Sequence, residues 1–182
     1  MLKSVQHFVG YHRIILSAVV GILLYVFARP TVWTIIAGCP IILIGEGIRI
    51  WSSGYITKNQ MLVQAGPYAF TRHPLYLGNF VIGLGFAIMT AEVSLVVLYL
   101  IAFTIIYFST IAEEEESLMN RFGQEFAEYV RQVPRFVPLP TGAVNGQTKF
   151  RWERVMGHRE YKTWLAIGIF LVLMFFKSYY VS

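Results

Sequence analysis

Five long apolar runs constrain how this 182-residue chain can fold. They cover Ile14–Ala28, Thr31–Ile50, Leu75–Ala91, Val93–Ala112 and Trp164–Val181. A helix that crosses a lipid bilayer needs about 20 predominantly apolar residues, with a range of about 17–25. The first run is short, and its flanking arginines must reach toward the membrane surface. We therefore predict an all-α polytopic membrane protein with about five transmembrane helices.

The composition excludes most other classes of protein. Hydrophobic residues make up 56% of the chain and charged residues only 14%, whereas about 25% of a soluble domain is charged. A single cysteine excludes a disulfide scaffold, and the apolar fraction excludes a disordered chain. We predict one integral membrane domain over residues 1–182, without a nucleic-acid partner.

The positive charges predict the topology, because cytoplasmic loops carry an excess of Lys and Arg. Of the 15 such residues, all but Arg29 and Lys177 lie at the amino end, in the two long polar connections 51–74 and 113–163, or, in the case of Arg49, just before the first of these connections. We predict a cytoplasmic amino end and a carboxyl end on the opposite side. The expected membrane is a prokaryotic inner membrane, with the endoplasmic reticulum as the alternative. Short connections at 29–31 and 90–92 predict two antiparallel helical hairpins.

The first polar connection ends in Arg72-His73-Pro74. Proline suits the first position of a helix, where its missing N–H is not needed. The free amides and dipole of a helix start favour an anion, so Arg72 and His73 could bind a carboxylate or a phosphate. Ordinary anchoring to lipid headgroups is the alternative.

Four consecutive glutamates, Glu113 to Glu116, close the fourth apolar run. An apolar stripe at helical spacing follows, formed by Leu118, Phe122, Phe126, Tyr129 and Val133. Helical spacing places Glu114 on the apolar face and Glu115 at its edge. Carboxylates that dock against other elements need partners, such as a cation or sugar hydroxyls; a solvated surface run is the alternative.

Arg135 lies in a proline-rich segment beyond this stripe. The prolines end the helix and impose an extended chain. The arginine could cap a carbonyl, bind a headgroup or hold an anionic substrate, and the residues alone leave these alternatives open.

Glu46 and Arg49 interrupt the second apolar run at i,i+3 spacing. Ionisable residues inside a membrane suggest function, but such a pair can also neutralise itself. The alternative functions are therefore a small transporter with this pair on its pathway, or a scaffold that uses the basic segment Lys149–Lys162. No sequence pattern predicts a metal site, a nucleophilic serine or a phosphate-binding loop.

Together these stretches resemble the integral-membrane methyltransferases related to isoprenylcysteine carboxyl methyltransferase and phospholipid N-methyltransferase. The resemblance covers roughly residues 45–140. It leaves out the first run, the basic cytoplasmic segment 141–162 and the C-terminal span 163–182. The matching residues are Leu62-Val63, Gly66-Pro67-Tyr68, Arg72-His73-Pro74, Tyr76, Glu114-Glu115, Leu118, Phe122-Gly123, Tyr129, Pro134-Arg135-Phe136 and Pro138.

The resemblance implies S-adenosylmethionine as methyl donor, held in a pocket at the cytoplasmic membrane surface beside a cytoplasmic helix. By analogy, Leu62 and Val63 meet the adenine, and Glu114 and Glu115 take the ribose hydroxyls or the ammonium group. The remaining cofactor-binding residues it implies are Gly66, Tyr68, Arg72, His73, Pro74 and Tyr76. The sequence departs from the family pattern at Gln60, where a histidine is common, and at Phe126, where tyrosine is usual.

The acceptor of the methyl group stays open among a carboxylate, an amine, a thiol and a hydroxyl. Arg135 is the candidate catalytic residue for a carboxylate acceptor, which needs a cation beside it. Glu115 is the candidate for an amine acceptor, which must lose a proton. We expect a lipid-like or small amphiphilic acceptor that enters sideways from the bilayer.

Overall fold

A computed structural model describes residues 2–57, 61–140 and 148–181, with side chains from residue 15 to 180 inside those ranges. Lys58, Gln60 and the part of the basic segment at 141–147 lie outside the described residues, as do the side chains of Lys3 and Arg13. The helices are α1 (Leu2–Phe27), α2 (Val32–Ser53), α3 (Pro74–Met89), α4 (Val93–Phe122), α5 (Gln124–Gln132), α6 (Trp152–Gly157) and α7 (Glu160–Val181). A 3₁₀ helix spans Gly66–Ala69. The predicted all-α fold is confirmed.

Among the described residues, three helices are long and apolar enough to cross a membrane. They are α2, α4 and the Tyr161–Tyr180 part of α7. Two further apolar helices, Ile15–Phe27 and Pro74–Met89, are shorter. At 1.5 Å per residue, the 16 residues of α3 reach about 24 Å, against roughly 30 Å for a hydrocarbon core. The prediction of five spans therefore rests on α3 and on α1, of which Ile15–Phe27 is the part with described side chains. Both helices pack against α4.

Helices α2 and α3 pack with their backbones almost in contact, because glycines face each other at two levels. A Cβ on Gly45 would lie 2.8 Å from the carbonyl oxygen of Gly78, and one on Gly85 would lie 3.0 Å from that of Gly38. No side chain fits at such distances without moving backbone. Small residues permit this close approach between helices in membranes.

The helix pairing differs in part from the predicted hairpins. α3 packs on α4 as predicted, but α1 packs mainly against α4, and α2 mainly against α3. The two short connections lie side by side, since the Arg29 amide donates to the Thr90 carbonyl over 2.8 Å. The glycine contacts of α2 with α3 explain why α2 pairs with α3 more extensively than with its chain neighbour α1.

The apolar stripe after the glutamates does not form one continuous helix. The chain turns at Gly123, whose φ of +51° lies in the left-handed region that favours glycine. Beyond this turn, Phe126, Tyr129 and Val133 are buried and pack with Leu62. The turn therefore folds α5 back onto the first polar connection.

Candidate functional site

One carboxylate, that of Glu115, binds two arginines and a histidine at the end where α3 begins. The Nη2 atom of Arg72 lies 2.8 Å from Oε1, and Nε2 of His73 lies 3.2 Å from the same oxygen. Arg135 donates to the other oxygen, Oε2. The cluster unites residues from both polar connections that the sequence singled out.

Backbone hydrogen bonds bring the two connections together. The Arg72 amide donates to the Pro134 carbonyl over 2.9 Å, and the Leu139 amide donates to the Phe70 carbonyl over 3.0 Å. The Thr71 hydroxyl lies 3.1 Å from the carbonyl oxygens of both Arg135 and Phe136. The helix ends before the prolines, as predicted, but the segment bends at 135–137 rather than running fully extended. Because it is not helical, its carbonyls are available to residues outside it.

The guanidinium group of Arg72 donates its hydrogen bonds to groups within the protein. Its Nε atom donates to Glu115, and Nη1 donates over 3.0 Å to the carbonyl oxygens of Val130 and Val133 at the end of α5. The Arg72 side chain is only 8% exposed. Arg72 thereby fastens α5 to the start of α3, which leaves little donor capacity for a bound anion.

Beside this cluster lies a cavity of about 240 Å³ between the first polar connection, the end of α4 and α5. Five of the predicted cofactor-binding residues line it: Leu62, Val63, Tyr68, Arg72 and Glu114. The other lining residues are Ile56, Thr57, Met61, Leu118, Arg121, Phe122, Phe126 and Tyr129. Arg121 was not singled out from the sequence, although it lies one helical turn from Leu118 on the predicted stripe.

Glu114 and Glu115 occupy different environments. The Glu114 side chain is 44% exposed, lines the cavity and places Oε2 3.9 Å from Nδ1 of His73. The Glu115 side chain is 12% exposed and faces away into the cationic cluster. Of these two carboxylates, that of Glu114 is therefore the one at the cavity and open to a ligand.

Two tyrosines close the inner wall of the cavity. The Tyr129 hydroxyl donates to the Tyr68 carbonyl over 2.6 Å. Burial of Tyr129 raises the pKa of its phenol above the ordinary value, and nearby Arg72 lowers it by less. The hydroxyl thus stays protonated and keeps the 3₁₀ helix against α5.

The remaining predicted site residues lie outside the cavity lining: Gly66, His73, Pro74, Tyr76, Glu115 and Arg135. Pro74 starts α3, as predicted. The ring of His73 stacks on Tyr76 with centroids 5.7 Å apart, and Tyr76 meets Tyr107 edge-on at 5.3 Å. These aromatic contacts connect the cationic cluster to the membrane-spanning helices.

A second cavity, an apolar groove of about 310 Å³, opens between α1, α3, α4 and α7. Its polar residues include Asn79, Tyr107 and Thr163 near the end that carries the cationic cluster. Further along, the lining is apolar and aromatic, as at Leu24, Phe86 and Phe170. The groove therefore has the polarity gradient of an amphiphile.

The intramembrane pair Glu46 and Arg49 belongs to a larger network. Arg49 binds Glu160 of α7 with Nη2 2.7 Å from Oε2, donates to Asn79 of α3, and has Nε 3.8 Å from Oε2 of Glu46. Trp164 donates its indole N–H to Glu46 over 2.6 Å. The pair is engaged in packing α7 against α2 and α3, which favours the structural interpretation.

Comparison with known proteins identifies the family. Residues 22–121, more than half of the chain, match the isoprenylcysteine carboxyl methyltransferase (ICMT) family. The chain belongs to the ICMT family. The resemblance to ICMT is thus confirmed, and the apolar helices together with the family establish an integral membrane protein.

Two curated relatives show how far the similarity extends. The cobalt-zinc-cadmium resistance protein CzcN of Cupriavidus metallidurans is 34% identical over 143 residues, which are 73% of this chain and 64% of CzcN. The protein-S-isoprenylcysteine O-methyltransferase of Homo sapiens is 30% identical over 126 residues, 63% of this chain and 44% of the human protein. The chain therefore spans less than two thirds of either relative.

In the part of the chain that the structure describes, no group of three or more His, Cys, Asp or Glu side chains is placed to hold a metal ion.

A solved structure of the eukaryotic intramembrane Ras methyltransferase ICMT has a similar fold. It aligns with a TM-score of 0.51 at 27% sequence identity, covering 62% of this chain and 44% of that one. The aligned part of the chain thus shares its helical fold with an ICMT enzyme.

Proposed function

We propose that the protein is an S-adenosylmethionine-dependent methyltransferase that acts on a lipid-like or small amphiphilic acceptor at the cytoplasmic membrane face. The observation that carries this proposal is the cavity beside the Glu115 cluster, lined by Leu62, Val63 and Glu114. Membership of the ICMT family supports the same activity.

The chemistry of the cavity lining fits this cofactor. Leu62, Val63 and Phe122 supply apolar surface suited to a purine ring. The Glu114 carboxylate suits the ribose hydroxyls or the ammonium group, both of which are hydrogen-bond donors. Arg121 lines the cavity together with Arg72 and is a second candidate to hold the cofactor carboxylate.

The groove between α1, α3, α4 and α7 would hold the apolar tail of the acceptor. Its polar end at Tyr107 touches Tyr76, which stacks on His73 beside Glu115. An acceptor in the groove would thus present its headgroup toward the cationic cluster. Burial there excludes water and fixes the orientation of the reacting group.

The cofactor supplies an activated methyl group when bound, so the protein has only to align the acceptor and balance its charge. We propose a carboxylate as acceptor, as in the family name, with Arg135 as its cation. Glu115 already binds two arginines and the His73 ring. Burial raises the pKa of its carboxyl group, but these partners lower that pKa by more, which makes Glu115 a poor base for deprotonating an amine. Its proposed role is to orient Arg72, His73 and Arg135.

The proposed topology follows from the helix ends. The carboxyl ends of α2 and α4 and the amino ends of α3 and α7 meet at the site, whereas Arg29, Glu92 and Lys177 mark the opposite end. The excess of Lys and Arg at the site end supports a cytoplasmic location for it. The amino end is then cytoplasmic and the carboxyl end lies across the membrane, in our proposal a prokaryotic inner membrane.

Transfer of a labelled methyl group tests the function. We expect purified protein in nanodiscs to methylate an isoprenylcysteine with a free carboxylate and to ignore the matching carboxamide. Arg135→Gln should raise KM for the carboxylate while the affinity for S-adenosylmethionine stays unchanged. Equal labelling of both compounds would overturn the carboxylate assignment, and labelling of neither would overturn this acceptor class.

A further inference from the structure

The segment 148–158 lies behind the wall of the 240 Å³ cavity and binds backbone carbonyls of the chain that leads into that wall. The Arg151 amide donates to the Gly54 carbonyl over 3.0 Å. The Arg154 guanidinium donates to the Tyr55 carbonyl over 3.3 Å, and the His158 ring lies 3.5 Å from the Ile56 carbonyl. Three successive carbonyls that lead into the cavity lining are thereby held from one side. We call this segment the clamp.

Tyr55 connects the clamp to the opposite wall. Its ring meets Phe150 of the clamp edge-on, with centroids 6.1 Å apart. On its other side the ring lies so close to Gly66 that a Cβ there would be 2.6 Å from it. Gly66 has a φ of +62° and begins the 3₁₀ helix that carries Tyr68. Displacement of the clamp would therefore shift residues on both sides of the cavity.

The outer surface of the clamp and of the first turn of α7 is basic and aromatic. Its exposed residues include Lys149, Arg151, Trp152, Glu153, Met156, Arg159, Tyr161 and Lys162. Glu153 is the single acid among these, because Glu160 is buried against Arg49. Trp152 is 58% exposed and Met156 is 51% exposed, although Val155 between them is fully buried. The clamp thus turns one face to the cavity wall and a cationic, partly apolar face outward.

This outward face lies where the membrane-spanning helix α7 begins, which is the depth of lipid headgroups. Aromatic side chains concentrate at that level in membrane proteins. Clusters of Lys and Arg beside a span attract anionic phospholipids, at about 1 kcal/mol per residue near the surface. Charge complementarity and position therefore select the same partner.

We propose that anionic phospholipid headgroups bind the outer face of the clamp and of the first turn of α7, and tighten the cofactor cavity behind the clamp. This inference rests on the proposed function, because the ligand of the cavity is taken to be S-adenosylmethionine. Lipid at Arg151 and Lys162 stabilises the clamped position of Gly54, Tyr55 and Ile56. Affinity for the cofactor then depends on the charge of the surrounding membrane.

Calorimetry in nanodiscs tests the coupling. We would measure S-adenosylmethionine binding in pure phosphatidylcholine and in phosphatidylcholine with phosphatidylglycerol. Taking about 1 kcal/mol of lipid attraction as coupled to the cavity, Kd should be about fivefold lower in the anionic membrane. The double variant Arg151→Gln, Lys162→Gln should bind with the weaker affinity in both membranes.

The matched control is the double variant Arg29→Gln, Arg131→Gln. It also removes two exposed positive charges, but neither residue belongs to the clamp. It should keep the lipid dependence of the wild type. Equal wild-type affinity in the two membranes would overturn the coupling and leave the proposed function standing. The same conclusion would follow if the control lost the lipid dependence of its affinity as fully as the variant Arg151→Gln, Lys162→Gln. Absence of binding in both membranes would overturn the proposed function and the coupling together.

Discussion

Arg72 and Glu115 form a buried ion pair, with Nη2 2.8 Å from Oε1, although 43 residues separate them in the chain. The pair joins the start of α3 to the end of α4. The same arginine holds two carbonyls of α5, and the same glutamate holds His73 and Arg135. The residues of the proposed site are therefore held in position by one carboxylate, that of Glu115.

Replacing that carboxylate should destabilise the fold. Glu115→Gln leaves the buried Arg72 without its anion, and removing one partner of a buried pair costs about 3–5 kcal/mol. We expect a clear drop in the thermal unfolding midpoint of the detergent-solubilised protein. Glu116→Gln changes the exposed neighbour and should stay within about 0.5 kcal/mol. Equal midpoints for the two variants would contradict the role given to Glu115.

The glycine contacts between α2 and α3 allow a matched comparison within one helix. Gly45→Ala places a Cβ 2.7 Å from the Ile82 nitrogen, whereas a Cβ on Gly47 meets nothing within 4 Å. Overpacking of this kind costs about 1–3 kcal/mol, while alanine at an open helical position gains up to about 1 kcal/mol. Gly45→Ala should lower the unfolding midpoint and Gly47→Ala should keep or raise it. A Gly45→Ala protein as stable as wild type would show that the two helices are further apart.

The network around Arg49 should matter far more than a surface ion pair. Arg49→Gln leaves Glu46 and Glu160 without their shared cation, at a cost of about 3–5 kcal/mol. Arg29→Gln breaks the exposed pair with Glu92 at 3.5 Å, which is worth about 0–1 kcal/mol. Unfolding in a denaturing detergent would rank the two variants. If Arg49→Gln is the milder change, α7 is held by other contacts.

Tyr129 predicts a pH dependence of stability. Its pKa is higher in the folded protein than the ordinary value of 10.0, chiefly because burial disfavours the phenolate. Above pH 10 the unfolded state releases this proton and the folded state retains it, so stability falls as the pH rises. Unfolding midpoints measured from pH 8 to pH 11 should fall less steeply for Tyr129→Phe than for wild type. Parallel profiles would mean that other groups cause the alkaline loss.

The sequence predicted the helical membrane fold and pointed to the two segments that meet at the candidate site, because apolar runs and charged motifs are local features. Helical spacing also separated Glu114 from Glu115. Spacing alone could not show which carboxylate is occupied, since the partners of Glu115 come from segments fixed by tertiary hydrogen bonds. The sequence could not show that the hydrogen-bond donors of Arg72 are occupied, because two of their acceptors are the backbone carbonyls of Val130 and Val133.

Two features of the fold depended on geometry that no short pattern records. The preference of α2 for α3 follows from glycines that meet only when both helices are in place, such as Gly45 and Gly78. The break at Gly123 lies inside an apolar stripe that helical periodicity reads as unbroken. In both places glycine was visible in the sequence, but its consequence required the neighbouring backbone.

The most direct test of the central claim is calorimetric binding of S-adenosylmethionine to the protein in detergent, with Glu114→Gln and Glu116→Gln alongside. We predict micromolar binding by wild type and by Glu116→Gln. Glu114→Gln should bind at least about tenfold more weakly, the effect of one charged hydrogen bond of about 1.5–3 kcal/mol, with an unchanged unfolding midpoint. Binding that is equal in all three proteins, or absent from well-folded wild type, would contradict the assignment of the cavity to this cofactor.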